Sequence, residues 1–384
     1  MRMKIQSIQE VLVFYPFFPT YRRSILETLA QRTDIKFNFA AGVQGRAEIQ
    51  SLSVDDFPHL HQLRTRKLGQ VSLNPGAVRI ALCSKYDTVI LAPATLSVSV
   101  WCILILRRLN SRNTYLWGQC GKPGATGLKR RTQEVMNRLA TGLLVYGESE
   151  RNGATSHGTP ATKVQIVNNA VEHEGSVSQL GPTEFDATSS RRGIGNDAPN
   201  LPISIAFVGR ITPQKRLDAL VDAVQLLSQK YPLITATIVG DGTALPALRQ
   251  RVKTGKLPVQ FLGAIHDSER LRQVFESATI VVAPSEIGLL AVDAMLHGVP
   301  VLYGDNPLKN GPEVEALTLG VNAATFTPGD PRSIADAVEM WISRAPHIKP
   351  ATYREAAITA LRTWSPESVA LNIAAAVGSK TRHP

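Results

Sequence analysis

The sequence predicts an α/β protein with two doubly wound domains, each a parallel sheet covered by helices, which face one another across a cleft. The chain has 384 residues, and at roughly 100–200 residues per domain this length predicts two domains. Short apolar runs alternate with helix-like segments through both halves, which is typical of βαβ units. Between the halves, residues 171–200 are rich in Gly, Ser, Thr, Pro and Asp without apolar periodicity, as expected of a linker.

The composition indicates a globular protein from a reducing compartment. Hydrophobic residues make up 43% and charged residues 19% of the chain, which excludes the disordered and collagenous classes. The three cysteines form no C-x-x-C pair, so neither a zinc cluster nor a disulfide framework is expected. Met1–Gln9 carries Arg2 and Lys4 with no apolar core behind them, so we expect no signal peptide. We therefore expect a soluble, cytoplasmic protein.

In the first half, apolar runs define the strands, and apolar residues at helical spacing define the helices between them. The longest uncharged run, Thr88–Leu106, is long enough for a membrane span, but Pro93 and several polar residues interrupt it. It is better explained as a buried strand, a turn and a helix. The predicted strands are Val11–Phe14, Lys36–Ala40, Val89–Leu91, Thr114–Trp117 and Leu143–Tyr146, and the main helices are Tyr21–Gln31 and Lys129–Leu139.

From Pro202 onward the same alternation of strands and helices restarts more clearly. In such sheets ligands bind at the carboxyl ends of the strands. The predicted strands are Ile203–Val208, Thr235–Val239, Val259–Leu262, Ile280–Ala283 and Val301–Leu302. The predicted helices cover residues 217–227, Ala244–Lys253, Ser268–Phe275, Leu290–His297, Ser333–Ser343 and Arg354–Trp364.

The excess positive charge lies entirely in the first half. Residues 1–170 hold 22 Lys and Arg against 10 Asp and Glu, a balance of +12, whereas the remaining residues hold 20 against 21, a balance of −1. This asymmetry predicts an anionic partner, such as a membrane surface or a phosphorylated substrate. No nucleic-acid-binding motif is present, so we expect no nucleic-acid partner. The main clusters are Arg64-Arg66-Lys67, Arg107-Arg108-Arg112 and Lys129-Arg130-Arg131.

Two strand-to-helix turns of the second half carry the chemistry of phosphate binding. Gly209 allows a tight turn, and Arg210 and Lys215 place two cations beside a helix start, whose free N–H groups already favour an anion. This combination suits a diphosphate.

The second turn, Val239–Thr243, contains Asp241. It does not match the dinucleotide-binding pattern G-x-G-x-x-G, since Leu245 occupies the third glycine position. A nicotinamide dinucleotide is therefore not expected.

Residues 283–300 are predicted to form the end of a strand, a loop with Gly288, a helix with Asp293 and a turn into the next strand. Gly288 lets loop amides approach a phosphate, and Asp293 can accept hydrogen bonds from ribose hydroxyls. Together with Gly311-Pro312-Glu313, these stretches resemble the nucleotide-binding domain of the retaining glycosyltransferases of family 4, in a bacterial polysaccharide and glycolipid sub-branch. That family has the GT-B fold of two Rossmann-like domains.

The resemblance extends more loosely over the rest of the chain, at Leu116-Trp117-Gly118, Val145-Tyr146 and Val167-Asn168-Asn169. Trp364-Ser365-Pro366 resembles the start of the terminal helix that crosses back to the first domain. The domain boundaries that follow are an acceptor-binding domain at 1–170, a linker at 171–200, a nucleotide-sugar-binding domain at 201–352, and a crossing helix within 353–384.

The resemblance implies a role for most of the candidate residues. The donor diphosphate binds Gly209, Arg210, Lys215 and the loop amides of Gly288 and Leu289. Ribose and base contact Asp293, Asp241, Ala264 and Ile265. No metal or cofactor is implied.

Two departures from the family affect the catalytic residues. The family has seven residues between two glutamates, whereas six separate Glu286 from Asp293 here, so either Glu286 or Ser285 meets the donor sugar. Gln119 stands where the family has a histidine, two residues after Trp117. Gln119 can donate a hydrogen bond to a substrate but cannot act as an acid.

The expected activity is transfer of a hexose, with retention, from a UDP- or GDP-sugar to a lipid-linked or saccharide acceptor. The basic first half suggests that this enzyme is peripheral on the inner face of the plasma membrane. Two alternatives stay open. One is a nucleotide-sugar epimerase of related fold, and the other is a non-enzymatic anion- or nucleic-acid-binding protein that uses the basic half.

Overall fold

The computed structural model describes residues 8–42, 51–121, 124–170, 202–344 and 350–378. The predicted linker at 171–200 therefore lies outside the described residues. The chain divides into two compact units, Met1–Glu172 with Ser365–Pro384, and His173–Trp364. Each unit has its own parallel sheet and its own hydrophobic core, which confirms the predicted pair of doubly wound α/β domains.

The first sheet has seven parallel strands in the order β3-β2-β1-β6-β7-β8-β9. A short antiparallel hairpin, β4–β5, lies outside it. The central strands β1, β6, β7 and β8 are largely apolar and buried, as expected of strands with helices on both faces. The strands are β1 (Gln9–Tyr15), β2 (Ile35–Gly42), β3 (Leu60–Leu63), β4 (Arg66–Leu68), β5 (Val71–Leu73), β6 (Thr88–Leu91), β7 (Asn113–Trp117), β8 (Gly142–Val145) and β9 (Val164–Ile166).

Helices cover both faces of this sheet. One face packs under α1 and α12, and apolar residues of both helices join the same core; the other face carries a core to which α2, α3 and α4 contribute. The helices are α1 (Arg23–Ala30), α2 (Pro75–Ala81), α3 (Val98–Leu109), α4 (Gly127–Leu139), α5 (Glu148–Ser156) and, from the end of the chain, α12 (Pro366–Gly378).

The second sheet has six parallel strands in the order β12-β11-β10-β13-β14-β15. Its core includes the apolar stripe predicted for residues 217–227. The strands are β10 (Ser204–Val208), β11 (Thr235–Val239), β12 (Val259–Gly263), β13 (Ile280–Ala283), β14 (Val301–Gly304) and β15 (Ala323–Phe326). The helices are α6 (Leu217–Ser228), α7 (Leu245–Gly255), α8 (Ser268–Ser277), α9 (Leu290–Leu296), α10 (Pro331–Arg344) and α11 (Pro350–Thr363).

The end of the chain differs from the predicted segment 353–384. Helix α11 belongs to the second unit, and the chain changes unit at Ser365. Only α12 packs on the first unit, where Val369 and Ile373 are fully buried in its core. The predicted start of the crossing segment at residue 353 falls within α11, which packs against α9 of the second unit.

Two predictions about apolar and charged segments have different outcomes. The run Thr88–Leu106 separates into β6 and α3, as expected, and no helix among the described residues is long and apolar enough to cross a membrane. Arg107, however, is not part of a surface cluster: it is fully buried, and burial lowers its pKa to about 10. Its guanidinium group donates to Thr114 Oγ1 and to the carbonyl groups of Ala81, Tyr86, Asp87 and Asn113 at 2.7–3.1 Å.

Candidate functional site

Glycine turns join the carboxyl ends of β10, β11 and β12. The N–H of Gly209 donates to Val239 O at 3.0 Å, and that of Gly240 donates to Gly263 O at 2.8 Å. Gly240 has a φ of +137°, and a Cβ atom there would lie 1.9 Å from Gly209 O, so only glycine fits. The two turns therefore form one rigid edge, from which the following residues project.

Lys215 lies at this edge, at the end of a short 3₁₀ turn that follows β10. Its Nζ atom donates to Glu286 O at 3.0 Å and lies 3.5 Å from Glu286 Oε1. Burial lowers the pKa of Lys215, whereas the Glu286 carboxylate acts to raise it. The fold thus brings into contact two residues that are far apart in the sequence. The sequence predicted Lys215 for the diphosphate and Glu286 for the donor sugar.

Two further charges act on Lys215. Arg210 is exposed, and its positive charge contributes to the lowered pKa of Lys215. Glu313 is buried and has the opposite effect. Glu313 follows Pro312 in the 3₁₀ turn Pro312–Ala316; the sequence signalled it through the Gly311-Pro312-Glu313 match, but not as a site residue. A second anion beside Arg210 and Lys215 would relieve the repulsion between these two cations.

The loop between β13 and α9 is held by backbone contacts. Ile287 N–H donates to Asn310 Oδ1 at 3.1 Å, and Ile287 O accepts from Gly311 N–H at 2.7 Å. The amides of Gly288 and Leu289 donate to no acceptor among the described residues. These are the amides that the sequence predicted for phosphate binding.

The same loop distinguishes Ser285 from Glu286. Ser285 is buried, whereas the side chain of Glu286 is 35% exposed and pairs with Lys215. Of the two residues predicted for the donor sugar, Glu286 is therefore the one whose side chain reaches the cations.

Asp293 lies on the first turn of α9 and is partly buried. Burial raises its pKa to about 7, and no cation among the described residues lies within ion-pair distance of it. An unpaired carboxyl in such surroundings gains from a neutral hydroxyl donor.

The predicted base-binding residues lie at neighbouring strand ends. Asp241 follows β11, is exposed, and accepts a hydrogen bond from Gly242 N–H at 2.7 Å. Ala264 and Ile265 follow β12, with Ala264 exposed and Ile265 partly buried. Because β12, β11, β10 and β13 are neighbours in that order, the residues predicted for base, ribose and diphosphate follow one another along the carboxyl ends of these strands.

Gln119 lies in the first unit, exposed in the turn after β7. That turn adjoins a cluster that the sequence did not reveal. Arg22 is 3% exposed, and its guanidinium carbon lies 4.1 Å from the ring centre of Trp117. Its Nη atoms donate to the hydroxyls of Tyr15 (3.1 Å) and Tyr146.

The hydroxyl of Tyr15 donates in turn to Trp117 O, so Arg22 and its three aromatic neighbours join the carboxyl ends of β1, β7 and β8. No carboxylate among the described residues pairs with Arg22. The aromatic faces offset part of the cost of burying this charge. The four residues are separated along the chain by a long stretch of sequence, and so no local motif could have indicated the cluster.

Comparison with known proteins supports the assignment of the second unit. Residues 202–344 match the family model described as "Glycosyl transferases group 1". An uncharacterized glycosyltransferase of Methanocaldococcus jannaschii is 30% identical over 198 residues, which are 48% of this chain and 46% of that protein. D-inositol 3-phosphate glycosyltransferase of a Mycobacterium species is 30% identical over 244 residues, 61% of this chain and 51% of that protein. The matches thus span about half the length of these relatives.

Solved structures extend the likeness in fold to nearly the whole chain. HepE of Anabaena in complex with UDP has a TM-score of 0.70 at 18% identity, covering 97% of this chain and 100% of that one. The lipopolysaccharide outer core galactosyltransferase WaaB has a TM-score of 0.69 at 15% identity, covering 97% and 100%. Residues 202–344 are therefore similar to the glycosyl transferases group 1, and the chain shares the fold of these solved structures over nearly its whole length.

Proposed function

We propose that the protein is a retaining hexosyltransferase of family 4 that uses a UDP- or GDP-sugar and a lipid-linked or saccharide acceptor. The observation that carries the proposal is the edge of the second sheet. There Arg210, Lys215 and the unsatisfied amides of Gly288 and Leu289 offer charge and hydrogen bonds to one diphosphate. The UDP complex of the similar HepE structure supports a nucleoside diphosphate as the ligand.

In this proposal the donor diphosphate replaces the Glu286 carboxylate beside Lys215. As the bond from the anomeric carbon to the diphosphate breaks, Arg210 and Lys215 stabilise the electron pair that stays on the leaving oxygen. The acceptor hydroxyl then forms the new bond on the same face and gives its proton to the departing phosphate. Asp293 accepts from the ribose hydroxyls, and no metal is required.

Glu286 is proposed to orient the donor sugar once Lys215 has turned to the diphosphate. Glu286→Gln should then lower kcat about tenfold, or about 1.4 kcal/mol in activation free energy, with little change in the Kd for UDP. Ser285→Ala is the matched control and should leave kcat nearly unchanged. Equal kcat values for the parent and Glu286→Gln would exclude Glu286 from this role.

We place the acceptor on the first unit, with Gln119 as a hydrogen-bonding residue and the basic surface toward an anionic membrane. Such an enzyme belongs in bacterial polysaccharide or glycolipid synthesis, on the cytoplasmic side. The chain's charge asymmetry supports this placement.

The decisive experiment measures UDP and GDP release from their sugar donors, with and without a lipid extract. Release that depends on the extract supports a transferase, extract-independent release of free nucleotide supports the epimerase, and no release with either donor supports a non-enzymatic protein. A thermal-shift panel of UDP, GDP and ADP identifies the base, because a ligand at 100 times its Kd adds about 2.7 kcal/mol of stability.

A further inference from the structure

The first unit has an exposed surface that is both apolar and basic. It consists of the β4–β5 hairpin, α3 and α4, and α3 contacts both of the others. Ser72 N–H donates to Leu96 O at 3.0 Å, and Asn74 N–H donates to Ser99 Oγ at 2.8 Å. These bonds fix the hairpin beside the start of α3. We refer to the outer side of these three elements as the apolar-basic face.

Helix α3 is apolar on two opposite sides. One stripe is buried in the core, and a second stripe, at the helical spacing i, i+4, i+7 and i+11, lies toward the outside. A surface helix normally has a polar outer side. The pattern of α3 is instead typical of a helix that is covered on both sides, by the core on one side and by a further partner on the other. The buried stripe is Val100, Ile103, Leu104 and Arg107, and the outer stripe is Val98, Cys102, Ile105 and Leu109.

The two neighbouring elements continue this pattern. On α4 the exposed positions i, i+3, i+7 and i+10 alternate between apolar and basic side chains: Leu128, Arg131, Val135 and Arg138. At the end of β4, Leu68 is 85% exposed; Leu109 and Leu128 are 76% and 80% exposed. Each of the three connected elements therefore presents a leucine that is almost fully in solvent. Isolated exposed apolar residues are common on protein surfaces, but three on neighbouring elements indicate an interaction surface.

The charges indicate what covers this face. The β4–β5 hairpin, α3 and α4 contain one acid, Glu134, which already pairs with Arg130. Their exposed cations are Arg66, Lys67, Arg108, Lys129, Arg131 and Arg138. A second copy of the chain would bring the same positive charges against one another. An anionic lipid surface matches both the leucines and the cations.

We propose that the apolar-basic face docks on an anionic lipid bilayer. Leu68, Leu109 and Leu128 enter the headgroup region, while the neighbouring Lys and Arg side chains stay at the phosphates. This inference extends the proposed function by giving the enzyme a specific membrane-binding surface. Its test uses neither nucleotide nor acceptor, so the docking proposal and the transferase proposal can fail separately.

The test is sedimentation of the full-length protein with vesicles of phosphatidylcholine, alone or in an equimolar mixture with phosphatidylglycerol. We expect binding to the anionic vesicles at about 0.1 M salt, and a bound fraction that persists at about 1 M, where the Debye length falls from about 10 Å to about 3 Å. The triple variant Leu68→Ser, Leu109→Ser, Leu128→Ser should bind about tenfold more weakly and lose the salt-resistant fraction.

The matched control carries three exposed leucines of the second unit as serines, namely Leu233, Leu308 and Leu319, which are 53–59% exposed. It should bind as the parent does. Arg108→Gln with Arg131→Gln should weaken binding at low salt only. Equal vesicle binding by the parent and the patch variant would overturn the proposal. So would a dimer in size-exclusion chromatography that the patch variant abolishes, because a second copy would then cover the face.

Discussion

The carboxyl ends of the strands are held together by side-chain contacts in the first sheet and by backbone contacts in the second. In the first unit, side chains close the edge: Arg22 is enclosed by three aromatic rings and bonded to two hydroxyls. In the second unit, backbone builds the edge through interlocked glycine turns, and among the described residues the amides of Gly288 and Leu289 have no acceptor. An edge closed by side chains contributes to stability, whereas an edge built from backbone leaves its side chains for a ligand. Changes at the first edge should therefore affect unfolding, and side-chain changes at the second should affect binding.

The largest effect is expected from a backbone change at the second edge. Gly240→Ala places a Cβ atom against Gly209 O and demands a positive φ, so the free energy of unfolding should fall by about 4 kcal/mol. Urea unfolding followed by circular dichroism measures it. Gly263→Ala is the control: Gly263 also has a positive φ, +74°, but open space around it, and should cost about 1 kcal/mol. Equal losses would mean that the turns are not interlocked.

At the first edge, Arg22→Ala should cost about 3 kcal/mol of unfolding free energy. The substitution leaves the hydroxyls of Tyr15 and Tyr146 without their donor and opens a cavity beside Trp117. UDP affinity, measured by calorimetry, should not change, because the diphosphate residues lie in the other unit. A stability change below about 0.5 kcal/mol would contradict the idea that Arg22 holds this edge together.

Side-chain changes at the second edge should show the reverse behaviour. Arg210→Ala and Lys215→Ala should each weaken UDP binding by about 1.5–3 kcal/mol, the value of a charge-assisted hydrogen bond, with little loss of stability. Calorimetric titration with UDP gives the affinity, and Arg216→Ala is a control in which an exposed neighbouring cation that pairs with Asp218 is removed. Unaltered affinity in both site variants would place the diphosphate elsewhere.

The smallest effect concerns pH. The pKa of Asp293 is raised by burial to about 7, against about 3.9 in an unfolded chain. The folded state therefore binds this proton more tightly, and stability falls as the pH rises from about 4 to about 7. Asp293→Asn removes that penalty, so the variant should be more stable than its parent at pH 8 and differ little from it at pH 4. Thermal melts at the two pH values test this. A variant less stable than its parent at pH 8 would show that the carboxylate is favourably bonded.

The sequence predicted the fold well because buried parallel strands are apolar runs that end at glycine turns, and both features are local. The strands Thr235–Val239 and Ile280–Ala283 have the predicted bounds. The hairpin β4–β5 was missed because its strands have three residues each and lie largely in solvent. The stretch Val167-Asn168-Asn169, given by the resemblance, follows a strand instead of forming one: β9 ends at Ile166, and Asn168 has a φ of 63°.

The site was less predictable where it depends on contacts between distant segments. Arg107 looks like a surface charge beside Arg108, and only the fold shows that carbonyl groups surround it. The pair of Lys215 with Glu286 likewise joins the turn after β10 to the loop after β13. Such contacts follow from strand order, which a single sequence does not encode locally.

The contact between Lys215 and Glu286 also gives this edge an internal competitor for any anionic ligand. A ligand must outcompete a carboxylate and a carbonyl oxygen that are covalently tethered beside the cation, and so present at high effective concentration. A small anion such as sulfate or inorganic phosphate brings too few contacts to displace them. In the proposed function, a nucleoside diphosphate would add the amides of Gly288 and Leu289 and a ribose contact at Asp293. If the proposed function holds, the ion pair would discriminate by ligand size and keep simple anions from this edge.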